Sequence, residues 1–327
     1  MQSMNRRFIN LFLVLVGFAC SFAVQAAYVF TTVDYPGAVS TSLWGINDSG
    51  QAVGGATFSN GSQTNFIYDV SKGTFAPVSA PVGTGLLGIN ASGVLAGGLA
   101  TGGIESGIIL NKKGSPTTFS HPGFDSTQAR AIGKSGLVTG FSINLDNNPD
   151  PCLQEIEGSV GFIYDPASGN FTDILPSPIT IAQGINGRGQ VVGSVFLEGL
   201  AAPAGDGLYG FLRDTNGAIT LFRVNNRNTR ARGITDSGLI TGFVNNPGGP
   251  KGFVASLSAA PGYQSLSIPP ADLLSPANPN VGTFGQGINN AGVVSGAWTD
   301  VTTIPGECGD QNVSHGFIAT PLPPKKK

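Results

Sequence analysis

Three observations predict an all-β fold made of one repeated unit and closed into a ring. Short Val/Ile/Phe runs bounded by Gly, Asn, Asp, Ser and Pro recur along the chain, and no window carries an apolar stripe at helical spacing. One Gly-Ile-Asn-like tripeptide returns six times, at intervals of 43, 43, 53, 49 and 54 residues. The chain ends are complementary, the first strand pattern supplying what the last repeat lacks. Composition agrees: among 327 residues, 49 are Gly and only 11% are charged, too apolar for a disordered chain and too Gly-rich for a helical one.

Residues 1–26 read as a secretory signal peptide. Arg6 and Arg7 form the positive region, Phe8 to Phe18 the apolar stretch, and Val24-Gln25-Ala26 the small-x-small cleavage site. The alternatives are an uncleaved anchor, for which the apolar run is short, and lipidation at Cys20, whose preceding Gly17-Phe18-Ala19 lacks the usual Leu. The expected location is secreted or periplasmic, with no membrane span after cleavage. Cleavage takes the formal net charge from −2 to −4. That argues against a nucleic-acid partner, which needs a clustered basic face. The one basic cluster, Lys325-Lys326-Lys327, ends a Pro/Lys-rich tail at 321–327, leaving 27–320 as a single repeat domain and an expected monomer.

The six anchors begin at Gly45, Gly88, Ala131, Gly184, Gly233 and Gly287. Each reads as a tight hairpin, in which Asn, Asp or Ser bonds nearby backbone and a Gly takes positive φ. The run after each anchor ends in Gly: Gly54, Gly97, Gly140, Gly193, Gly242 and Gly296. Gly inside a strand signals close backbone approach, so this strand is expected innermost. A second strand follows, with a bulky apolar residue such as Phe66, Phe162, Phe211, Phe253 or Phe317. A third comes after a polar turn, for example Gly169–Ile174 or Ala218–Phe222, and a fourth leads into the next anchor. Four short strands per repeat predict a six-bladed β-propeller of four-stranded blades. The sixth unit stops after its second strand, at Thr320, and Val29–Gly37 resembles the third strand Thr117–Gly123. The N-terminal strand is therefore expected to complete the last blade. An open β-solenoid, the alternative, would not need complementary ends.

The Gly-Ile-Asn-x-x-Gly-x-x-Val-Gly run, followed by a His-small-Phe strand, resembles the bacterial extracellular HAF repeat over about 28–320. Only His315-Gly316-Phe317 approaches the named tripeptide. Thr64, Ser106, Val160, Tyr209 and Lys251 stand near that place in the other units, so the His is not a shared functional group. The resemblance implies an exported β-repeat domain and no particular chemistry.

No Gly-x-Ser-x-Gly, phosphate loop, His-Glu-x-x-His or Cys-x-x-Cys occurs, and no catalytic residue is assigned. His121 is expected in a turn, equivalent to Tyr35 or Asp34, and His315 at a strand start. Trp44 and Trp298 adjoin anchors and read as core or near-core. The units differ most between the Val-Gly and Phe strands, where units three (142–160), four (196–208) and six (297–314) carry long loops expected on one face. These loops hold Asp146, Asp150, Glu155, Glu157, Glu198, Asp206, Asp300, Glu307 and Asp310, the candidate binding residues. They also hold Cys152 and Cys308, expected to pair as a disulfide across the ring. Two alternatives use the same acids: Ca²⁺ coordination, for which no Asp-x-Asp-x-Asp-Gly spacing exists, and an acid/base pair acting on a sugar. No other metal or cofactor is expected. The sequence thus predicts a binding or structural module for an extracellular carbohydrate or protein, with a polysaccharide hydrolase or lyase as the alternative.

Overall fold

The computed structural model describes residues 28–145, 158–174, 179–257, 262–266, 274, 282–304 and 311–323. Each anchor forms the predicted turn. Asn47 Oδ1 accepts the N–H groups of Ser49 and Gln51 at 3.1 and 2.9 Å, and Asn90, Asn186 and Asn289 repeat the arrangement. The sixth anchor residue is Gly in every unit, with φ between 73° and 91°, a backbone that a side chain would strain.

The strands assemble into six sheets around one axis. Blade 1 contains β2 (Ser40–Ile46), β3 (Gln51–Thr57), β4 (Gln63–Asp69) and β5 (Thr74–Val78). Blade 2 contains β6 (Thr84–Ile89), β7 (Leu95–Thr101), β8 (Ile104–Leu110) and β9 (Pro116–Phe119). Blade 3 contains β10 (Ser126–Ile132), β11 (Val138–Ile143), β12 (Val160–Asp165) and β13 (Asn170–Ile174). Blade 4 begins with β14 (Thr180–Ile185), β15 (Val191–Leu197), β16 (Gly207–Arg213) and β17 (Ile219–Val224). Blade 5 contains β18 (Thr229–Ile234), β19 (Leu239–Val244) and β20 (Lys251–Ser256). The next strand, β21 (Gly262–Leu266), does not add to blade 5 but pairs in parallel with β17 of blade 4, and among the described residues Leu274 alone bridges Gly252 on that side. Pro269, Pro270, Pro276 and Pro279 flank Leu274 and have no N–H to give a ladder.

Blade 6 confirms closure. It joins β22 (Gly282–Ile288), β23 (Val294–Ile304) and β24 (Gln311–Pro321) to the N-terminal β1 (Tyr28–Val33). The register runs from Tyr28 opposite Pro321 to Val33 opposite Gly316. The protein is a six-bladed β-propeller, not an open solenoid.

One expectation is corrected. The strand that ends in the anchor is innermost, and the Val-Gly strand lies second. A Cβ on Gly45 would sit 2.9 Å from the Leu87 carbonyl, and one on Gly88 2.9 Å from Ala131 Cα. Added to Gly184, Gly233 or Gly287, it would meet the next anchor's backbone at 2.6, 3.0 and 2.7 Å. The inner strands thus touch backbone to backbone. The Val-Gly glycines are close-packed for another reason. Gly54, Gly140, Gly193, Gly242 and Gly296 pair across the sheet with Phe66, Phe162, Phe211, Phe253 and Phe317, in four of these pairs with the Phe ring lying over the glycine.

Polar staples join neighbouring blades. Asn47 Nδ2 donates to the Asn90 carbonyl at 3.1 Å, Asn90 to Gly133 at 3.3 Å, Asn186 to Thr235 at 3.0 Å and Asn289 to Asn47 at 3.2 Å. Units three and five carry Gly133 and Thr235 at this position, and at the fifth junction Asn290 bonds Asp236 instead. Apolar cores fill the spaces between blades: Val33, Leu43, Phe66 and Ile318 form one such cluster. Each fully buried side chain of this kind contributes about 1.5–3 kcal/mol.

Adjacent residues of β3 test the packing. A Cβ on Gly54 would lie 2.6 Å from the Ser42 carbonyl and 2.5 Å from the Phe66 ring, whereas one on Gly55 meets nothing within 4 Å. Gly54→Ala is expected to destabilise by about 1–3 kcal/mol in urea denaturation, and Gly55→Ala to stay within about 1 kcal/mol of the parent.

Candidate functional site

Every inner strand carries a β-bulge at its anchor. The register shifts between Leu43 and Ile46, Leu86 and Gly88, Ala129 and Ala131, Ala182 and Gly184, Ala231 and Gly233, and Gly285 and Gly287. A bulge leaves an extra residue unpaired and re-aims its side chain. Here those residues are Trp44, Leu87, Arg130, Gln183, Arg232 and Gln286, and all six line one small cavity of about 20 Å³ on the axis. Sequence reading missed this ring, although each member directly precedes an anchor. On the anchor face a second hollow is lined by Ile46, Ile89, Ile132, Ile185, Ile234 and Ile288 together with residues of the anchor turns. The backbone geometry is repeated and the side chains at these places are not. They are one indole, one alkyl chain, two amides and two guanidiniums.

The bore concentrates positive charge. Arg232 Nη1 donates to Gln183 Oε1 at 3.1 Å, and the Arg230 and Arg232 guanidiniums lie 5.6 and 5.3 Å from the Phe243 ring centroid. Arg130 lies 5.3 Å from that of Phe141. Burial lowers the Arg130 guanidinium to about 10, with Glu105 opposing the shift. Burial, then repulsion from Arg130 and Arg230, takes Arg232 well below its ordinary value. Glu105 is the nearby carboxylate. It accepts Gln128 Nε2 on both oxygens, at 2.8 and 2.7 Å, and burial raises its pKa.

Since inner strands run into the anchor turns and second strands run back, the long second-to-third connections all emerge on the face opposite the anchors. Asp146, Asp150, Cys152, Glu155, Glu157, Glu307, Cys308 and Asp310 lie outside the described residues. The unit-four loop is built on Arg223, a residue the sequence did not single out. Arg223 is 5% exposed, donates to the Ala204 and Asp206 carbonyls at 3.0 and 2.9 Å, and stacks at 4.1 Å on Tyr209. Tyr209 Oη in turn donates to the Gly205 carbonyl at 2.7 Å. Asp206 accepts the Gly199 N–H at 2.8 Å, while Glu198 precedes a 3-10 turn at Gly199–Ala201. These contacts give Asp206 a loop-shaping part.

Asp300 belongs to a different cluster. His315 Nδ1 lies 3.0 Å from Asp34 Oδ1, its Nε2 lies 3.5 Å from Asp300 Oδ2, and its ring stacks on Trp298 at 4.2 Å. This set ties the end of the first strand to the last blade. Among the described residues, no group of three or more His, Cys, Asp or Glu side chains is arranged to hold a metal ion. His121 opens the expected turn, its carbonyl accepting the Phe124 N–H at 3.2 Å, but it is more than a turn residue: it is buried and stacks on Phe171 at 4.2 Å, as Tyr35 packs on Phe75 at 5.1 Å in blade 1. The equivalence with Tyr35 holds, for both backbone N–H groups donate to a Thr hydroxyl six residues on.

No family model and no curated protein matches the chain. Solved structures do. A candidate gluconolactonase aligns with TM-score 0.51 at 12% identity over 90% of this chain and 93% of its own. A gluconolactonase from Xanthomonas campestris aligns at 0.49 and 11%, over 93% of each chain. TolB from Acinetobacter baumannii aligns at 0.49 and 10%, over 65% of this chain and 51% of its own, so the chain spans about half of that protein. Likeness at this level shows the propeller fold alone.

Two outcomes follow for the described side chains. Arg223→Gln is expected to cost about 2–4 kcal/mol in urea denaturation, from lost charge-assisted bonds and ring stacking. Burial lowers the His121 pKa below 6.5 against the opposing pull of Asp173. The unfolded chain then binds more protons, so this contribution is intact above about 6.5 and is lost as pH falls toward the lower folded value. Urea midpoints at pH 7.5 and 5.5 should differ less in His121→Tyr than in the parent, and equal differences would contradict this.

Proposed function

We propose that the chain is an exported HAF-repeat propeller, secreted or periplasmic by way of the signal at residues 1–26. It acts as a binding module for an extracytoplasmic ligand, a carbohydrate in preference to a protein. The bore ring carries this reading. Trp44 supplies an aromatic face, and Gln183, Gln286, Arg130 and Arg232 supply fork-shaped polar groups around one cavity of about 20 Å³, room for one polar end of a sugar. Indole stacking against a sugar face and amide or guanidinium bonds to hydroxyls suit that set. A protein partner would need about 800 Å² of complementary surface per side, which a narrow bore does not present. The unit-four loop, built on Arg223, stands on the opposite face, where it would help to select what enters.

A glycan array followed by calorimetry tests this. Binding of at least one glycan is expected, with Trp44→Ala weakening it about ten-fold or more. Unchanged affinity in Trp44→Ala would remove the bore from the reading. Cleavage of a polysaccharide in the same screen would replace binding with hydrolase or lyase activity.

A further inference from the structure

We infer that the bore is an oxyanion site, in which Arg130 and Arg232, with Gln183 between them, receive the carboxylate of an acidic sugar. The inference rests on the binding-module reading and names the ligand's chemistry.

Four observations support it. The bulges of blades 3, 4 and 5 bring Arg130, Gln183 and Arg232 side by side on one cavity wall. The Nε–H groups of Arg130 and Arg232 are buried and find no acceptor among the described residues. A guanidinium has five donors and no acceptor, so each unused donor in a buried place calls for an oxygen. Charge is also unbalanced. Arg130 is drawn to Glu105, which already accepts Gln128 on both oxygens, and Arg232 is repelled by its neighbours Arg130 and Arg230. Asp48, Asp236 and Lys134 line the second hollow, on the anchor face.

Placement fits an anion as well. The Arg130 and Arg232 guanidinium carbons lie 5.3 Å from the ring centroids of Phe141 and Phe243, contacts that hold both groups in place while their Nε–H groups stay unbonded among the described residues. Arg230 and Arg232 repel one another and Arg130, as the lowered pKa of Arg232 reflects. A bound carboxylate would offset that repulsion and accept bidentate bonds, the geometry that suits Arg best. The cavity, about 20 Å³, admits a small oxyanion or the carboxylate end of a longer ligand and no whole sugar ring.

The test is calorimetry on the mature protein at low ionic strength, with D-glucuronate, D-glucose and inorganic phosphate as probes. Glucuronate and phosphate are expected to bind, glucose at least about ten-fold more weakly, with affinity falling as salt rises. Arg130→Gln and Arg232→Gln should each weaken glucuronate about ten-fold or more, and Glu105→Gln should tighten it. Melting controls for folding. With no anion present, Arg232→Gln should melt no lower than the parent, because it removes a buried uncompensated charge, and added phosphate should raise the parent's Tm but not the variant's. Glucose binding as tightly as glucuronate would overturn the oxyanion site and leave the carbohydrate module standing. Arginine-dependent phosphate binding with no glycan bound would support the oxyanion site and overturn the carbohydrate reading. Binding of none of the probes, or anion binding unchanged in both arginine variants, would overturn the site.

Discussion

Six inner strands meet backbone to backbone around one axis, and most of the molecule's sequence features serve that contact. Strands brought so close leave no room for a Cβ at the anchor, which accounts for Gly45, Gly88, Gly184, Gly233 and Gly287. They also cannot remain regular through the crowded turn, and a bulge absorbs the extra residue in all six blades. The asparagine that shapes four of the six turns is then near enough to the next blade to donate to its carbonyl. Turn, bulge and staple are three effects of one close approach. A residue that serves both its own hairpin and its neighbour makes local and global preferences agree, which favours a single folded state.

Much of this was legible in the sequence. The Asn-x-x-Gly spacing announces a hairpin because it needs both an acceptor side chain and a positive φ, and nothing else in the chain recurs so regularly. The split last blade could be read from Val29–Gly37 and Thr320 for the same reason. The order of strands within a blade was less accessible. Both the anchor and the Val-Gly strand contain a glycine, and glycine signals crowding without naming what crowds it. One kind faces the next blade's backbone; the other lies across from a phenylalanine on its own sheet. The exchange of β21 onto blade 4 likewise depends on partners far away in sequence, although the prolines around Leu274 give its local cause.

Variation among repeats was a sound guide with an incomplete address. The sequence pointed to the long loops, where insertions are conspicuous. The bulge residues vary just as much, yet without any change of length, so alignment of the repeats by their anchors hides them in plain register. Arg130 and Arg232 could have been noticed there as the charged members of a mostly uncharged protein. Arg223 could not, since its role depends on Tyr209 and two carbonyls that only the folded loop brings together. Asp300 and His315 show the opposite relation: both were visible singly, and only the seam of blade 6 makes them neighbours of Asp34 and Trp298.

The seam has a consequence for the order of events in the life of the chain. β1 is synthesised before the other strands of the ring and its partner β24 after them, so the earliest strand of the ring has nothing to pair with until blade 6 has emerged. Closing so large a loop carries an entropic cost that grows only slowly with length, but it must be met before blade 6 gains its packing. Until then the two ends of the sheet set stay open, and the ring is a string of blades whose last gap governs when it becomes a rigid body. A polypeptide with this wiring remains threadable until its last blade has been made. It becomes a closed object in a single late step.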